Sequence, residues 1–482
     1  MRALLSSSIG VTCAAALTLP LAAPAPAVPA PVPVAQAPAV PAAEPLGSTQ
    51  SLPLRPLTGA ASRAAGEPTD STSSPSPAAQ GLRQLDSHRF SLVGVVWDDA
   101  DTELHGTVQV RTRATGTGRW SGWQDLETHN ADHGADAGSA ERESGTVRGS
   151  TAPLWVGDSD GVEVRVHGEA GGPRTGEGDT AALPAGLRVE LVDPGDDPQQ
   201  TPAAGATGVA TPAVATPSAG TATPATSPQP GALPDYAGLT VAAAEASAVN
   251  ADLAPLGAAE IPALSKAESE EQAVVAAGAK PFVGPRPRIV TRKGWGADES
   301  LRERAFAYTS TVKAAFIHHS ATGNNYTCSQ APSVLRSIYR YHVKSSGWRD
   351  FGYNFAVDKC GNIYEGRAGG VTKAVLGAHT LGFNTNSMGI AVLGTYSSKN
   401  PPAAAVTAIA KLTAWKLGLY GRNPKGKVTL VSGGSGKYKK GAKVKLNVIA
   451  GHRDGFATEC PGSRLYKKLG TARTSSANLQ GR

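Results

Sequence analysis

Long apolar runs are nearly absent from this sequence. Beyond the first 27 residues no stretch approaches the roughly 20 consecutive apolar residues of a membrane-spanning helix, which argues against a permanent helical anchor in the body of the chain. Aromatic residues are scarce as well, at 5% of 482, against 56 glycines and 36 prolines. Such a composition dilutes any single core and implies two or three domains with long unstructured segments. Cysteine is rarer still: Cys13, Cys328, Cys360 and Cys460. The opening "MRALLSSSIGVTCAAALTLPLAAPAPA" has Arg2, a modest apolar run and small residues at Ala23, Ala25 and Ala27, and reads as a secretory signal over 1–27. The residues before Cys13 make a poor lead-in for a lipid-attachment cysteine. The rest is expected outside the cytoplasm, secreted or wall-associated. It then carries three cysteines, and an odd count in a secreted protein demands a use for the spare thiol.

The net charge of +7 hides a split. Residues 286–482 carry 31 Lys/Arg against 8 Asp/Glu, a balance of +23, and residues 1–285 carry 15 against 31, a balance of −16. A basic C-terminal part seeks a polyanion. For a secreted chain, nucleic acid is a poor candidate, and wall polymers bearing phosphates and carboxylates are better ones. The plainer reading is that the charge only confers solubility. The lysines cluster in "GRNPKGK" and "KYKKGAKVK", between 421 and 445.

Residues 28–80, rich in Ala, Pro and Ser, read as a disordered spacer. Over 81–195, "TVQVRTR", "GVEVRVH" and "LRVELVD" alternate apolar and polar residues, which predicts an antiparallel, sandwich-like β domain. Trp97, Trp120, Trp123 and Trp155 lie there and are read as core or core-edge residues. Residues 196–285 return to low complexity and read as a tether, with a transient helix in "LTVAAAEASAVNADL". From 286 to 470 strands and helices alternate. "VKAAFIHH" reads as a buried strand, "APSVLRSIYRYHVKSSG" as a helix stopped by Gly347, and "GYNFAVDKCGNIYEGR" as a hairpin. "SMGIAVLGTY" is a strand, "PPAAAVTAIAKLTAWKLGLYG" a helix, "NVIAGHRD" a late strand and "SRLYKKLG" a terminal helix, with 471–482 as a tail. The fold class is therefore α/β with a mixed central sheet and flanking helices, preceded by an all-β domain and disordered linkers.

Two adjacent histidines close the apolar run "AAFIHH". Neighbouring strand side chains point to opposite faces, so His318 and His319 cannot easily serve one metal ion together. Seven residues separate His452 from Cys460. His318, His452 and Cys460 would make three ligands with one open position, the pattern of a catalytic zinc site. Cys328 and Cys360 could then pair with each other. Spacing alone leaves two alternatives: a Cys460/His452 nucleophile pair, or a buried inert cysteine with incidental histidines.

The pieces "GWGA", "FIHHSAT", "YRYHVKSSGWRDFGYNF", "NIYEGR", "GAHTLGFNTNSMGIAVLG" and "GHRDGFATECPG" occur in order between Trp295 and Leu469. Over that span the chain resembles the zinc-dependent N-acetylmuramoyl-L-alanine amidases of the peptidoglycan recognition protein and phage-type amidase superfamily, with a weaker likeness to secreted actinobacterial members. The resemblance implies a secreted, monomeric zinc enzyme that cleaves the amide between N-acetylmuramic acid and L-alanine in peptidoglycan. It implies His318, His452 and Cys460 as metal ligands, and Tyr353 and Thr458 as groups at the reacting centre. It implies substrate contacts for His342 and His379. Members that have lost the cysteine bind without hydrolysing, and this chain keeps it. Glu365 reads as structural, His319 as a core histidine facing away, and His88, His105, His129, His133 and His167 as incidental. A silent peptidoglycan-binding protein and a Cys460/His452 hydrolase are the competing functions.

Overall fold

The computed structural model describes residues 47–57, 79–84, 86–128, 130, 132–169, 182–197, 239–277 and 282–482. The expected signal segment, Cys13, His129 and much of both low-complexity segments lie outside the described residues.

Among the described residues nine strands form the N-terminal domain: β1 (Ser48–Pro53), β2 (Arg55–Pro56), β3 (Ala79–Gln84), β4 (Phe90–Trp97), β5 (Gly106–Ala114), β6 (Gln124–Leu126), β7 (Gly149–Ser150), β8 (Leu154–Gly168) and β9 (Arg188–Asp193). All their pairings are antiparallel. The long β8 is shared, its first half pairing β4 and its second half lying between β3 and β5. Two of these strands lie inside the segment read as a spacer. The alternating valines do what their period predicts: Val108 and Val110 meet Val162, Val164, Val166, Val189 and Leu191 in one core. Trp97 and Trp155 are buried. Trp123 is instead held between the guanidinium groups of Arg111 and Arg165, 5.1 and 4.2 Å from its ring centroid.

Strand β4, "FSLVGVVW", is buried along its whole length. A strand buried on both faces reads as a continuous apolar run. Val93, Val95 and Trp97 enter the β-domain core, while Leu92 and Val96 enter a second cluster with Val334, Leu335, Ile338 and Tyr341. Each such side chain contributes about 1.5–3 kcal/mol on full burial. Gly94 is required at this contact, because a Cβ there would come within 2.4 Å of the Tyr341 hydroxyl. The β domain is thus packed against the α/β part, and the free tether expected between them is not what joins their surfaces.

The α/β part is built on a mixed seven-stranded sheet. Its strands are β10 (Glu260–Ile261), β11 (Ile289–Val290), β12 (Ala314–His319), β13 (Phe355–Val357), β14 (Ile363–Glu365), β15 (Ser387–Val392) and β18 (Ile449–Gly451), in spatial order β10-β11-β14-β13-β15-β12-β18. A separate antiparallel pair, β16 (Lys427–Val431) and β17 (Lys443–Asn447), carries the lysine cluster. Val444 and Leu446 face inward and Lys443 and Lys445 outward. The helices are α1 (Val241–Ala248), α2 (Lys266–Ala277), α3 (Arg292–Trp295), α4 (Ala331–Arg340), α5 (Ala403–Leu419), α6 (His452–Gly455), α7 (Ser463–Tyr466) and α8 (Leu469–Gln480). Thus 239–277, read as tether, holds two helices and the edge strand β10. Ala254, Ile261 and Ala273 are buried in the main core. These few small apolar residues suffice because the sheet edge and its neighbours were there to cover. The residues read as a tail form most of α8, which buries Ala472 and Ala477. The hairpin β13–β14 is joined to the start of α4 by the disulfide Cys328–Cys360.

Candidate metal centre

Strands β12 and β18 are parallel neighbours, with Ile317 opposite Gly451. The next residue of each is a histidine, so His318 and His452 emerge together at the carboxyl ends of adjacent parallel strands, the usual ligand edge of an open α/β sheet. The loop after α6 returns Cys460 to the same point, its Sγ 3.7 Å from His318 Nδ1. The imidazoles of His318 and His452 lie 4.5 Å apart by centroid, and all three residues are fully buried. His318 turns its other nitrogen toward Thr380 Oγ1, at 3.4 Å.

A fourth donor comes from the β domain. His133 Nε2 lies 3.7 Å from Cys460 Sγ, and its ring is 4.5 Å from His452 and 5.2 Å from His318. One ligand atom from each of His133, His318, His452 and Cys460 lies within 4.8 Å of the others. This overturns the reading of His133 as incidental. His133 Nδ1 bonds Asp132 Oδ1 at 2.9 Å. With the proton of that bond on Nδ1, the Nε2 lone pair faces the cluster, the arrangement that orients metal-bound histidines.

Both ring nitrogens of His452 are buried without a hydrogen-bond partner among the described residues, the nearest carboxylate oxygen being Asp132 Oδ2 at 3.7 Å. A buried polar atom left unpaired is costly, and a cation among these donors would satisfy it. Three imidazole nitrogens and a thiolate suit a borderline-soft divalent ion such as zinc. The surroundings favour neutral histidines. Burial, and then the neighbouring histidines, push His318 well below its usual range. Burial pushes His452 down to about 3, against the pull of Asp132. Burial, reinforced by Asp132 and Glu127, pushes the Cys460 thiol up. Burial alone would raise Asp132, but His133 and His452 hold it below the usual carboxylate range.

Tyr353, just before β13, stands beside the cluster, its ring 5.2 Å from His318 and 5.9 Å from His133. The Thr458 hydroxyl accepts from the Cys460 N–H at 3.2 Å. His342 is buried, stacked on Trp348 at 4.4 Å, and accepts from the Gly352 N–H. His379 is buried and paired with Thr380. His319 faces the other way and accepts from the Tyr396 N–H. Glu365 is buried, accepts from Asn250 and from the backbone of Arg292, and is pushed up to about 7 by burial. Around His133, His319, His342 and Tyr353 only about 10 Å³ stays free, with Asn130, Ala152 and Pro153 of the β domain among the lining groups. On the Thr458 side lies an open depression of about 770 Å³, lined by Glu127, Lys437, Arg453, Phe456, Thr458 and Glu459.

Comparison with known proteins agrees with this division of the chain. Residues 308–463 match the family described as N-acetylmuramoyl-L-alanine amidase, and residues 36–204 match the family described as Rv3811 N-terminal galactose-binding domain-like. The chain is 32% identical to peptidoglycan-recognition protein SC2 of Drosophila simulans over 185 residues, 38% of this chain and 85% of that protein. It is 30% identical to a human N-acetylmuramoyl-L-alanine amidase over 211 residues, 42% of this chain and 32% of that protein. Among solved structures, Drosophila PGRP-LB aligns at 27% identity and a TM-score of 0.30, covering 38% of this chain and 93% of that one.

Proposed function

We propose, because the chain belongs to the peptidoglycan recognition protein and N-acetylmuramoyl-L-alanine amidase superfamily, that it is a secreted zinc amidase of peptidoglycan. The observation that carries the reading is the convergence of His318, His452 and Cys460, with Tyr353 beside them, at one strand edge. A zinc ion held there would supply Lewis-acid polarisation of the scissile carbonyl and a more acidic water. The reaction is hydrolysis of the amide between the lactyl group of N-acetylmuramic acid and L-alanine. Its C–N bond breaks, a C–O bond to water forms, and the departing amine takes a proton. Tyr353 and Thr458 are proposed as the hydroxyls that donate to charge developing on the carbonyl oxygen. Tyr353 stays protonated for that role, since burial pushes its phenol well above the usual range. His342 and His379 are proposed to meet the glycopeptide.

The lysines at 437, 439, 440, 443 and 445 are all exposed on or beside the β16–β17 pair, and Lys437 lines the open depression. They are proposed to hold anionic wall polymer. Secretion is proposed from the leader-like pattern of residues 1–27 and is consistent with the disulfide. A non-catalytic recognition protein is the second reading, favoured by the recognition proteins among its relatives. A Cys460 nucleophile is disfavoured, because the thiol is fully buried and reactive cysteines are partly exposed. The test is product analysis on defined muropeptides with and without a chelator. New alanine α-amines that disappear with the chelator support the amidase. New reducing ends would mean a glycosidase, and binding without turnover a recognition protein.

A further inference from the structure

We infer that the described residues 130 and 132–148 of the loop between β6 and β7 form a plug built into the chain, with His133 as a displaceable fourth ligand that holds the metal centre closed. The inference rests on the zinc-amidase reading and adds its regulation. A catalytic zinc site keeps one of four positions open, whereas a closed protein set is structural. Here the three donors of the α/β part leave one position, and His133 is aimed at it with its other nitrogen fixed by Asp132. The plug covers more than the metal position. Asn130 and His133 fill the space next to Tyr353 and His342 until about 10 Å³ remains. A glycopeptide has no room there while the loop is seated.

The loop is docked by polar contacts along its length. Asp132 O accepts from the Leu381 N–H at 3.0 Å. Gly134 O and Asp136 Oδ1 accept from Asn384 Nδ2, each at 2.7 Å, and Asp136 also accepts from the Gly382 N–H. Glu141 forms a two-pronged, buried ion pair with Arg367 at 2.7 and 2.9 Å and accepts from the Arg349 N–H. Thr146 Oγ1 donates to Gly347 O. Gly347 is the residue this seat requires: its φ is +74°, and a Cβ would strike Thr146 O at 1.9 Å. Between β6 and β7 the described part of the loop has only the short turn Arg142–Ser144 as regular structure. Unseating it therefore breaks side-chain and turn contacts and no sheet ladder. Substrate and plug compete for one space, so turnover scales with the fraction of molecules whose loop is out.

The test uses the full chain loaded with cobalt(II), whose visible spectrum reports its ligands, and azide as the probe for an open position. In the parent the spectrum should not respond to azide. His133→Ala removes the fourth donor and Asp136→Ala weakens the seat while keeping every donor. Both should become azide-responsive and should cleave a small soluble muropeptide faster, by about 10- to 100-fold. The Asp136 variant decides the matter if the His133 variant does not fold. Azide response and cleavage gained together support the plug. Azide response gained with no cleavage by any form also supports the plug and rejects the amidase reading. The proposal is overturned if the parent responds to azide as strongly as the variants do. It is equally overturned if His133→Ala no longer holds cobalt, which would make His133 a permanent structural ligand, or if no form binds the metal.

Discussion

His318 and His133 reach the same point by opposite means. His318 is the penultimate residue of a fully buried interior strand, paired on both sides by parallel neighbours. His133 sits in a loop of another domain, held by carboxylates and turn contacts. One position is fixed by the sheet, and the other by a seat that can empty. The charge split tells the same story. Part of the +23 of residues 286–482 faces the chain's own acidic half, as in the Glu141–Arg367 and Asp197–Arg336 pairs. The lysines of the β16–β17 pair stay exposed.

The sharpest break between the two regions is the sign of ligand substitutions. Cys460→Ser and His452→Ala should lose zinc by metal analysis and lose all measurable hydrolysis, whereas His133→Ala should keep zinc and gain rate. Parallel losses in all three would erase the distinction. Next in size, Tyr353→Phe should keep one zinc per chain and fall in turnover on the order of 10²–10³-fold, the cost of a lost oxyanion-type donor. An unchanged rate would remove Tyr353 from the reacting centre.

Domain boundaries give a smaller effect. A chain starting at 286 lacks β10 and the buried Ala254, Ile261 and Ala273. It should be less stable than one starting at 239 by about 3 kcal/mol, mainly for the burial of Ile261, measured by urea unfolding. Equal midpoints would return 239–285 to the role of a tether. The smallest effect concerns the lysines. Replacing Lys437, Lys439, Lys440, Lys443 and Lys445 with Gln should weaken binding to intact walls at low salt by about tenfold and leave soluble muropeptide hydrolysis unchanged. Such screening acts over about 8 Å at physiological salt. Undiminished sedimentation with walls would clear the pair of that role.

Period and punctuation in the sequence by themselves determined the two folds. Alternating valines specify the β domain, and the runs "AAFIHH" and "SMGIAV" specify central strands. The spacing of His452 and Cys460 suggested that local chain geometry could bring the two together, but it left a metal site, a nucleophile pair and an inert cysteine as alternatives. The run "FSLVGVVW" already carried a sign that β4 needs cover on its second face, but nothing in it names the helix that provides it. The ordering of 239–277 was invisible for a related reason: small residues such as Ala254 and Ala273 become core only where a neighbouring surface accepts them. The Asp132–His133 pair is the extreme case. His133 stands 185 positions before His318 in an unpatterned loop, and no local period can report a contact between distant segments. Only the docking of one domain on the other decided that His133 points at Cys460, because a side chain acquires ligand geometry from the surface that holds its backbone, and here that surface belongs to the far half of the chain.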